Sequence, residues 1–136
     1  MSEVSVNQNE QAREAEKAVL GGLMLETHRF DTVIQVIKDN DFDGKDHQII
    51  FQSMAELIEE NKPLDPITVS EKLDSKNLLN KIGGKDYLIS LATETPTAAN
   101  LEAYAEIIRQ RSVARQLMKA NSEIAELINN PQGLDG

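Results

Sequence analysis

The segment Gly83-Gly84-Lys85-Asp86 comes closer than any other part of the chain to a nucleotide-binding motif. A phosphate-binding loop of the form G-x-x-x-x-G-K-[ST] would place glycine at position 79 and a hydroxyl side chain for Mg²⁺ at position 86. The sequence has Leu79 and Asp86 there instead. We therefore expect neither nucleotide hydrolysis nor bound ATP or Mg²⁺ from these residues.

The two histidines, His28 and His47, are the next candidates for chemistry, and the chain contains no cysteine. A zinc site needs several Cys or His ligands at short spacing, and a hydrolytic triad needs a histidine between a nucleophile and an acid. Neither pattern is present, so both histidines are predicted to be structural. His47 is expected to pack in the core with one ring nitrogen hydrogen-bonded. Carboxylate pairs such as Glu14 with Glu16 are interpreted as solvated. No catalytic, cofactor or metal site is predicted.

A run of basic side chains without acidic neighbours lies in the last third of the chain and consists of Arg109, Arg111, Arg115 and Lys119. Helical spacing places Arg111, Arg115 and Lys119 on one face. A solvent-exposed face is the ordinary interpretation, and a docking surface for an acidic partner is the alternative. Direct DNA contact is least favoured, because a net charge of −9 repels phosphate backbones.

Composition limits the class of protein that can carry these residues. A chain of 136 residues with 40% hydrophobic content is long enough for one domain with a single core, which must be aliphatic because tryptophan is absent. The absence of cysteine is typical of a reducing compartment. No segment has the pattern of a secretion signal or a membrane span, so we expect a cytoplasmic protein without a membrane partner.

Apolar residues recur at helical spacing throughout, which predicts an all-α fold. The predicted organisation is a flexible tail over residues 1–11, a globular helical domain over 12–108, a segment over 109–129 in which the long last helix continues beyond this domain, and a turn over 130–136. Asp65-Pro66 is typical of a capped helix start. Gly21-Gly22 lies inside the first apolar stripe, and it marks either a close helix crossing or a helix end.

Four blocks of the sequence resemble, in order, the N-terminal domain of DnaB-type replicative DNA helicases. Together they extend from residue 12 to about residue 130. The matching segments are Ala15–Met24; Asp41-Phe42 with His47, Ile50-Phe51 and Met54; Asp65–Thr68 with Leu73, Gly83-Gly84 and Tyr87-Leu88; and Thr95–Asn100 with Tyr104-Ala105 and Ile107–Arg109.

The resemblance implies a compact orthogonal bundle of helices followed by a long helix that begins a helical hairpin, with residues 109–129 as its first arm. It further implies a place in the N-terminal collar of a hexameric helicase, where the C-terminal region of primase docks and a helicase loader also binds. The ATPase domain of that family, with its ATP and Mg²⁺ sites and its DNA-unwinding activity, would lie beyond residue 136, so this chain would not itself be an enzyme.

Site residues are also carried over from the resemblance. Glu14 and Tyr87 match positions linked to primase coupling, and Met118 and Ile124 match hairpin positions linked to helicase modulation. Leu117 and Ile128 join them as assembly candidates. Each has a structural alternative: Tyr87 could cover the core with its hydroxyl in water, and the hairpin residues could be ordinary apolar positions.

Two other classes of protein stay open at this point. A stand-alone acidic helical regulator, such as a phage-type antagonist of a helicase or primase, would have a similar composition. A small hydrolase would need a catalytic site, which the sequence does not show.

Overall fold

The described part of the chain consists of six α-helices connected by short turns. A computed structural model describes residues 2–95 and 97–130, with the side chains of residues 2–9 left aside. Within these ranges no residue is in a β-strand, so the predicted all-α class is confirmed. The helices are α1 (Ser2–Leu25), α2 (Phe30–Val33), α3 (Lys45–Glu59), α4 (Pro66–Ser75), α5 (Gly84–Glu94) and α6 (Leu101–Asn129), and 3-10 turns lie at Thr27–Arg29, Asp39–Asp41 and Leu79–Ile82.

Helix α1 begins at Ser2, earlier than the start at Ala12 that the apolar spacing predicted. No glycine or proline precedes Gly21, so no residue before that position interrupts the helix. Apolar periodicity cannot locate such a start, because the first turns carry polar residues. Whether the tail over residues 1–11 is flexible in solution stays a prediction.

The core forms where α1 packs against α5 and α6 on one side and against α3 on the other. Its largest fully buried side chains are aliphatic, apart from Phe42, as the composition required. They include Leu20, Leu23, Ile50, Met54, Leu88, Leu91, Leu101 and Ile108.

The Gly21-Gly22 pair lies at a close helix crossing, which decides between the two interpretations of the sequence. A Cβ atom added at Gly21 would lie 2.2 Å from the backbone oxygen of Leu91 and 2.0 Å from Oγ1 of Thr95. One added at Gly22 would lie 2.4 Å from Cδ2 of Leu101. Helix α1 continues past both glycines to Leu25. The pair therefore lets α1 approach the end of α5 and the start of α6.

The predicted capped start of α4 is also confirmed. The Asp65 carboxylate accepts hydrogen bonds from the backbone N–H groups of Ile67 and Thr68, each at 2.8 Å, and Pro66 occupies the first helical position. The Thr68 hydroxyl in turn accepts from the backbone N–H of Asp65 at 3.0 Å. These bonds satisfy amides that a helix start otherwise leaves free.

Helix α6 leaves the body of the domain later than the sequence predicted. Ser112 is buried and donates to the Asp41 carboxylate at 2.6 Å, and Arg115 donates to the Asp41 carbonyl at 2.8 Å. From Gln116 to Asn130 every residue is exposed. The packed body thus extends past Ile108 to Arg115, because Asp41 holds this part of α6. Residues 131–136 of the predicted turn lie outside the described residues.

Candidate functional site

Tyr87 is the fourth residue of α5, and the glycines Gly83 and Gly84 lie at the start of this helix. Gly83 adopts a left-handed conformation with φ of 102°, and a Cβ atom there would lie 3.2 Å from Cβ of Tyr87. The ring is half-buried, and its hydroxyl lies 2.5 Å from Nε2 of His47 and 3.3 Å from Nη2 of Arg13. The hydroxyl thus has two protein partners, where the structural alternative placed it in water.

His47 connects Tyr87 to a buried carboxylate. The imidazole is 0% exposed, and Nδ1 lies 2.7 Å from Oε1 of Glu16, whose side chain is 3% exposed. The same carboxylate accepts the backbone N–H groups of Asp43 at 2.7 Å and of Gly44 at 3.3 Å. Two expectations are corrected here: both ring nitrogens of His47 have partners, and Glu16 is buried because the turn after Asp41 supplies donors to it.

Arg13 and Asp46 close this network on its solvent side. The Arg13 guanidinium pairs with the Asp46 carboxylate at 2.8 Å, which in turn accepts the backbone N–H of His47 at 2.8 Å. Burial alone would raise the pKa of Asp46. The hydrogen bonds from the Arg13 side chain and from the backbone N–H of His47 outweigh this effect, so the pKa lies below its ordinary value. The hydrogen bond to Asp46 raises the pKa of Arg13.

The carboxylate, imidazole and hydroxyl stand in the order of a hydrolytic triad, but the hydroxyl is a poor nucleophile. Burial, and then the nearby carboxylates including Glu14, raise the pKa of the Tyr87 phenol despite the opposing charge of Arg13. A phenol of raised pKa stays protonated at neutral pH. Among the described residues, no group of three or more Asp, Glu, His or Cys side chains is arranged to hold a metal ion. The arrangement is suited to holding Tyr87 in place.

Glu14 lies on the exposed side of α1, next to this network. Its side chain is 72% exposed and lies 3.4 Å from the Lys17 ammonium. It also lines a groove of about 440 Å³ between α1, α5 and α6. The groove has an apolar floor and charged edges, with lining residues that include Ala15, Ala18, Tyr104, Ile107 and Arg111. Tyr87 does not line this groove, so Glu14 and Tyr87 remain separate candidates.

The basic run does not form the single free face that its spacing suggested. Arg115 binds the Asp41 carbonyl and lies 3.5 Å from the Asp43 carboxylate, while Arg111 lines the groove and Lys119 is exposed beyond the body. Arg109 pairs with Asp41 at 3.1 Å. Arg109 and Arg115 are engaged because the acidic turn Asp41-Phe42-Asp43 lies against α6. The spacing of residues within α6 cannot reveal this contact.

The outer half of α6 carries an uncovered apolar stripe, which includes Leu117 and Ile124 of the four assembly candidates. Val113, Leu117, Ala120, Ile124 and Leu127 follow one another at alternating steps of four and three residues, the spacing of a coiled-coil seam. The candidates are strongly exposed: Leu117 60%, Met118 70%, Ile124 55% and Ile128 71%. Such a stripe on one side of a projecting helix is suited to pairing with another helix.

Arg13, Glu16 and Asp46 are site residues that the sequence interpretation missed. Glu16 had a usable signal, because it precedes Val19, Leu20 and Leu23 at helical spacing and so occupies a core position of α1. A carboxylate at such a position needs a buried partner. Arg13 and Asp46 gave no comparable signal, since their pairing joins two helices far apart in sequence.

In the part of the chain that the structure describes, no helix is both long and apolar enough to cross a membrane.

A family model described as the DnaB-like helicase N terminal domain matches residues 8–110. The chain is similar to the replicative DNA helicase DnaB of Buchnera aphidicola subsp. Baizongia pistaciae, with 40% identity over 120 residues. That match covers 88% of this chain and 26% of the relative. The chain thus spans about a quarter of the length of the curated relatives it matches.

Two solved structures have the same fold. The N-terminal domain of DnaB helicase from Mycobacterium tuberculosis matches with a TM-score of 0.82 and 33% identity, over 85% of this chain and 81% of that one. The N-terminal domain of DnaB helicase from Helicobacter pylori, described together with its interactions with primase, matches with a TM-score of 0.81 and 25% identity. That match covers 92% of this chain and 98% of that one.

Proposed function

Because the chain belongs to the family of DnaB-like helicase N-terminal domains, we propose that it is the collar domain of a replicative DNA helicase and that it docks primase. The complete protein would unwind duplex DNA at the replication fork at the expense of ATP. Its ATP, Mg²⁺ and DNA-tracking sites would lie outside these 136 residues. The proposed place of action is the cytoplasm, as for a protein that acts on the replication fork of bacteria.

The likeness to the H. pylori domain carries the primase proposal, since that protein interacts with primase and its fold matches nearly the whole of this chain. Glu14 and Tyr87 are the candidate contacts. Glu14 offers an exposed carboxylate beside a groove with an apolar floor, and Tyr87 offers a half-buried aromatic ring. Aromatic anchors dominate the binding energy of many protein interfaces.

A second role, collar assembly, is supported by the outer half of α6. Burying an aliphatic side chain such as Leu117 or Ile124 contributes about 1.5 to 3 kcal/mol. Both are more than half exposed in the single chain, so pairing with another helix has a substantial gain available. We propose that this stripe forms the subunit contacts of the collar, with Met118 and Ile128 at its edges.

The other classes of function receive less support. A stand-alone regulator is not favoured, because the curated relatives that match 83 to 90% of the chain are replicative DNA helicases. A helicase loader is proposed as a further partner on the family resemblance alone. Arg115 does not support an acidic docking partner on α6, since Asp41 and Asp43 already engage it.

Calorimetric titration with the C-terminal region of the cognate primase tests the docking proposal. Tyr87→Ala should weaken binding about tenfold or more, because it removes an aromatic anchor. The matched control is Ile67→Ala, which shortens an apolar side chain that is 59% exposed on α4 and lines neither the groove nor the network. All proteins should show the same helicity by circular dichroism. Equal affinity of Tyr87→Ala and wild type would remove Tyr87 from the interface.

A further inference from the structure

The hydroxyl of Tyr87 is held from inside the domain. His47 of α3 and Arg13 of α1 both reach it, and the His47 and Tyr87 rings lie nearly parallel, 11° apart, with centroids separated by 5.9 Å. A tyrosine whose hydroxyl is engaged in this way presents its ring, and not its hydroxyl, to a partner. The orientation of that ring then depends on His47, which is fully buried, as well as on the exposed Arg13.

The hydrogen-bond acceptors of this network indicate where its protons lie. The Glu16 carboxylate receives two backbone N–H donors, and an N–H at Nδ1 of the imidazole can serve as its third donor. Arg13 donates to the phenol oxygen. The phenol can then donate its proton to Nε2 of His47.

We propose that His47 is a positioning residue for partner binding: its Nε2 accepts the Tyr87 hydroxyl proton and so fixes the ring at the docking surface. This inference rests on the proposed primase function. His47 is 0% exposed and cannot contact a partner itself. It therefore acts only through Tyr87.

The charged and titratable groups around His47 come from α1, α3, α5 and the turn before α3. Arg13 and Glu16 face it from α1, Tyr87 from α5, and Asp46 from its own helix through the backbone N–H of His47. Asp43 and Gly44 contribute backbone N–H groups to Glu16 from the turn before α3. Because Glu16 also closes this turn, a variant that deletes it would disturb the fold, so the test is made at His47.

Two substitutions at His47 separate its two hydrogen bonds. In His47→Asn the side-chain amide nitrogen lies near the place of Nδ1, so the bond to Glu16 is kept and the one to Tyr87 is lost. In His47→Gln the longer side chain brings an amide oxygen near the place of Nε2, where it accepts the phenol proton. The bond to Tyr87 is kept, at the expense of the bond to Glu16.

Calorimetric titration of the whole chain with the C-terminal region of primase gives the first measurement. His47→Asn should weaken binding about threefold to tenfold, the value of one hydrogen bond, and His47→Gln should stay within about twofold of wild type. Tyr87→Phe should match His47→Asn, and the double variant should be no weaker than either single one. Equal loss in the Asn and Gln variants, or no loss in either, would overturn the proposal.

Nuclear magnetic resonance of the free protein gives a second measurement that needs no partner. Nitrogen-proton correlations of His47 should show a protonated Nδ1 and an unprotonated Nε2, and the Tyr87 ring signals should shift in His47→Asn and return in His47→Gln. A protonated Nε2, or Tyr87 signals indifferent to both variants, would overturn the positioning role. If these signals behave as expected but Tyr87→Ala binds primase like wild type, the docking proposal fails and the internal positioning of Tyr87 stands.

Discussion

Substitution of Gly21 by alanine should destabilise the domain, although alanine is the better helix former. The added methyl group would contact the backbone oxygen of Leu91 and the side chain of Thr95 at distances far inside van der Waals contact. The backbone oxygen belongs to helix α5 and cannot rotate away. Relief therefore requires α1 and α5 to move apart.

The magnitude follows from opposing contributions. Replacing glycine by alanine inside a helix gains about 1 kcal/mol. Overpacking costs about 1 to 3 kcal/mol, and displacement of the Thr95 hydroxyl from its 2.8 Å bond to the Leu91 carbonyl costs about 1 kcal/mol more. The expected net loss for Gly21→Ala is about 1 to 3 kcal/mol.

Gly22→Ala is the matched comparison on the same helix. Its new methyl group meets Cδ2 of Leu101, the end of a side chain that can change rotamer. The gain in helix propensity should largely offset that adjustment, so the change in unfolding free energy should stay within about 1 kcal/mol.

Urea unfolding followed by circular dichroism at 222 nm measures both variants. With a slope of about 1 to 3 kcal/mol per molar urea, the loss expected for Gly21→Ala lowers the midpoint by roughly 0.5 to 2 M. A Gly21→Ala protein as stable as wild type, or one less destabilised than Gly22→Ala, would show that the close crossing of α1 and α5 does not govern this position.

Three further predictions concern assembly, acid stability and catalysis. Ile124→Asp should weaken any concentration-dependent self-association measured by sedimentation velocity, because it places a charge in the apolar stripe of α6; an association unchanged by this variant would place the contact elsewhere. The depressed pKa of Asp46 means that its ion pair with Arg13 stabilises the fold above the unfolded pKa of about 3.9, and that this contribution is lost as the pH falls through the lower folded value. Arg13→Met should therefore flatten the decline of the urea midpoint between about pH 5 and pH 2, and parallel profiles for the two proteins would contradict this account. Purified chain should show no ATP turnover with single-stranded DNA, because Leu79 and Asp86 replace the required glycine and hydroxyl; activity that persists through repeated purification would refute it.

The helices and their ends were largely predictable, because the signals that define them are local. Asp65-Pro66 predicts a helix start, because the carboxylate can cap free backbone amides and proline has a fixed φ. The structure has that start. The apolar spacing of α3 likewise places Ile50 and Met54 in the core, where both are fully buried. The start of α1 departed from the prediction, since its first turns carry no apolar stripe to mark them.

The candidate site was predictable in part. Tyr87 was singled out by family resemblance, and the structure places it half-buried, but the bonds that hold its hydroxyl join residues 40 and 74 positions apart. Such pairings depend on how α1, α3 and α5 pack, which no local pattern encodes. The same holds for Arg115, whose spacing on α6 suggested a free basic face.

By itself, the sequence determined the all-α class, the aliphatic core, the lack of a phosphate-binding loop and the family, because each depends on residue types and short spacings. Tertiary structure alone decided which partners the interior polar groups received. Glu16 looked like a solvated carboxylate until the turn at Asp43 and Gly44 brought two N–H donors to it, and His47 completed its surroundings. Burial of a charge is stable only where several chain segments converge on it, and that convergence exists only in the folded domain.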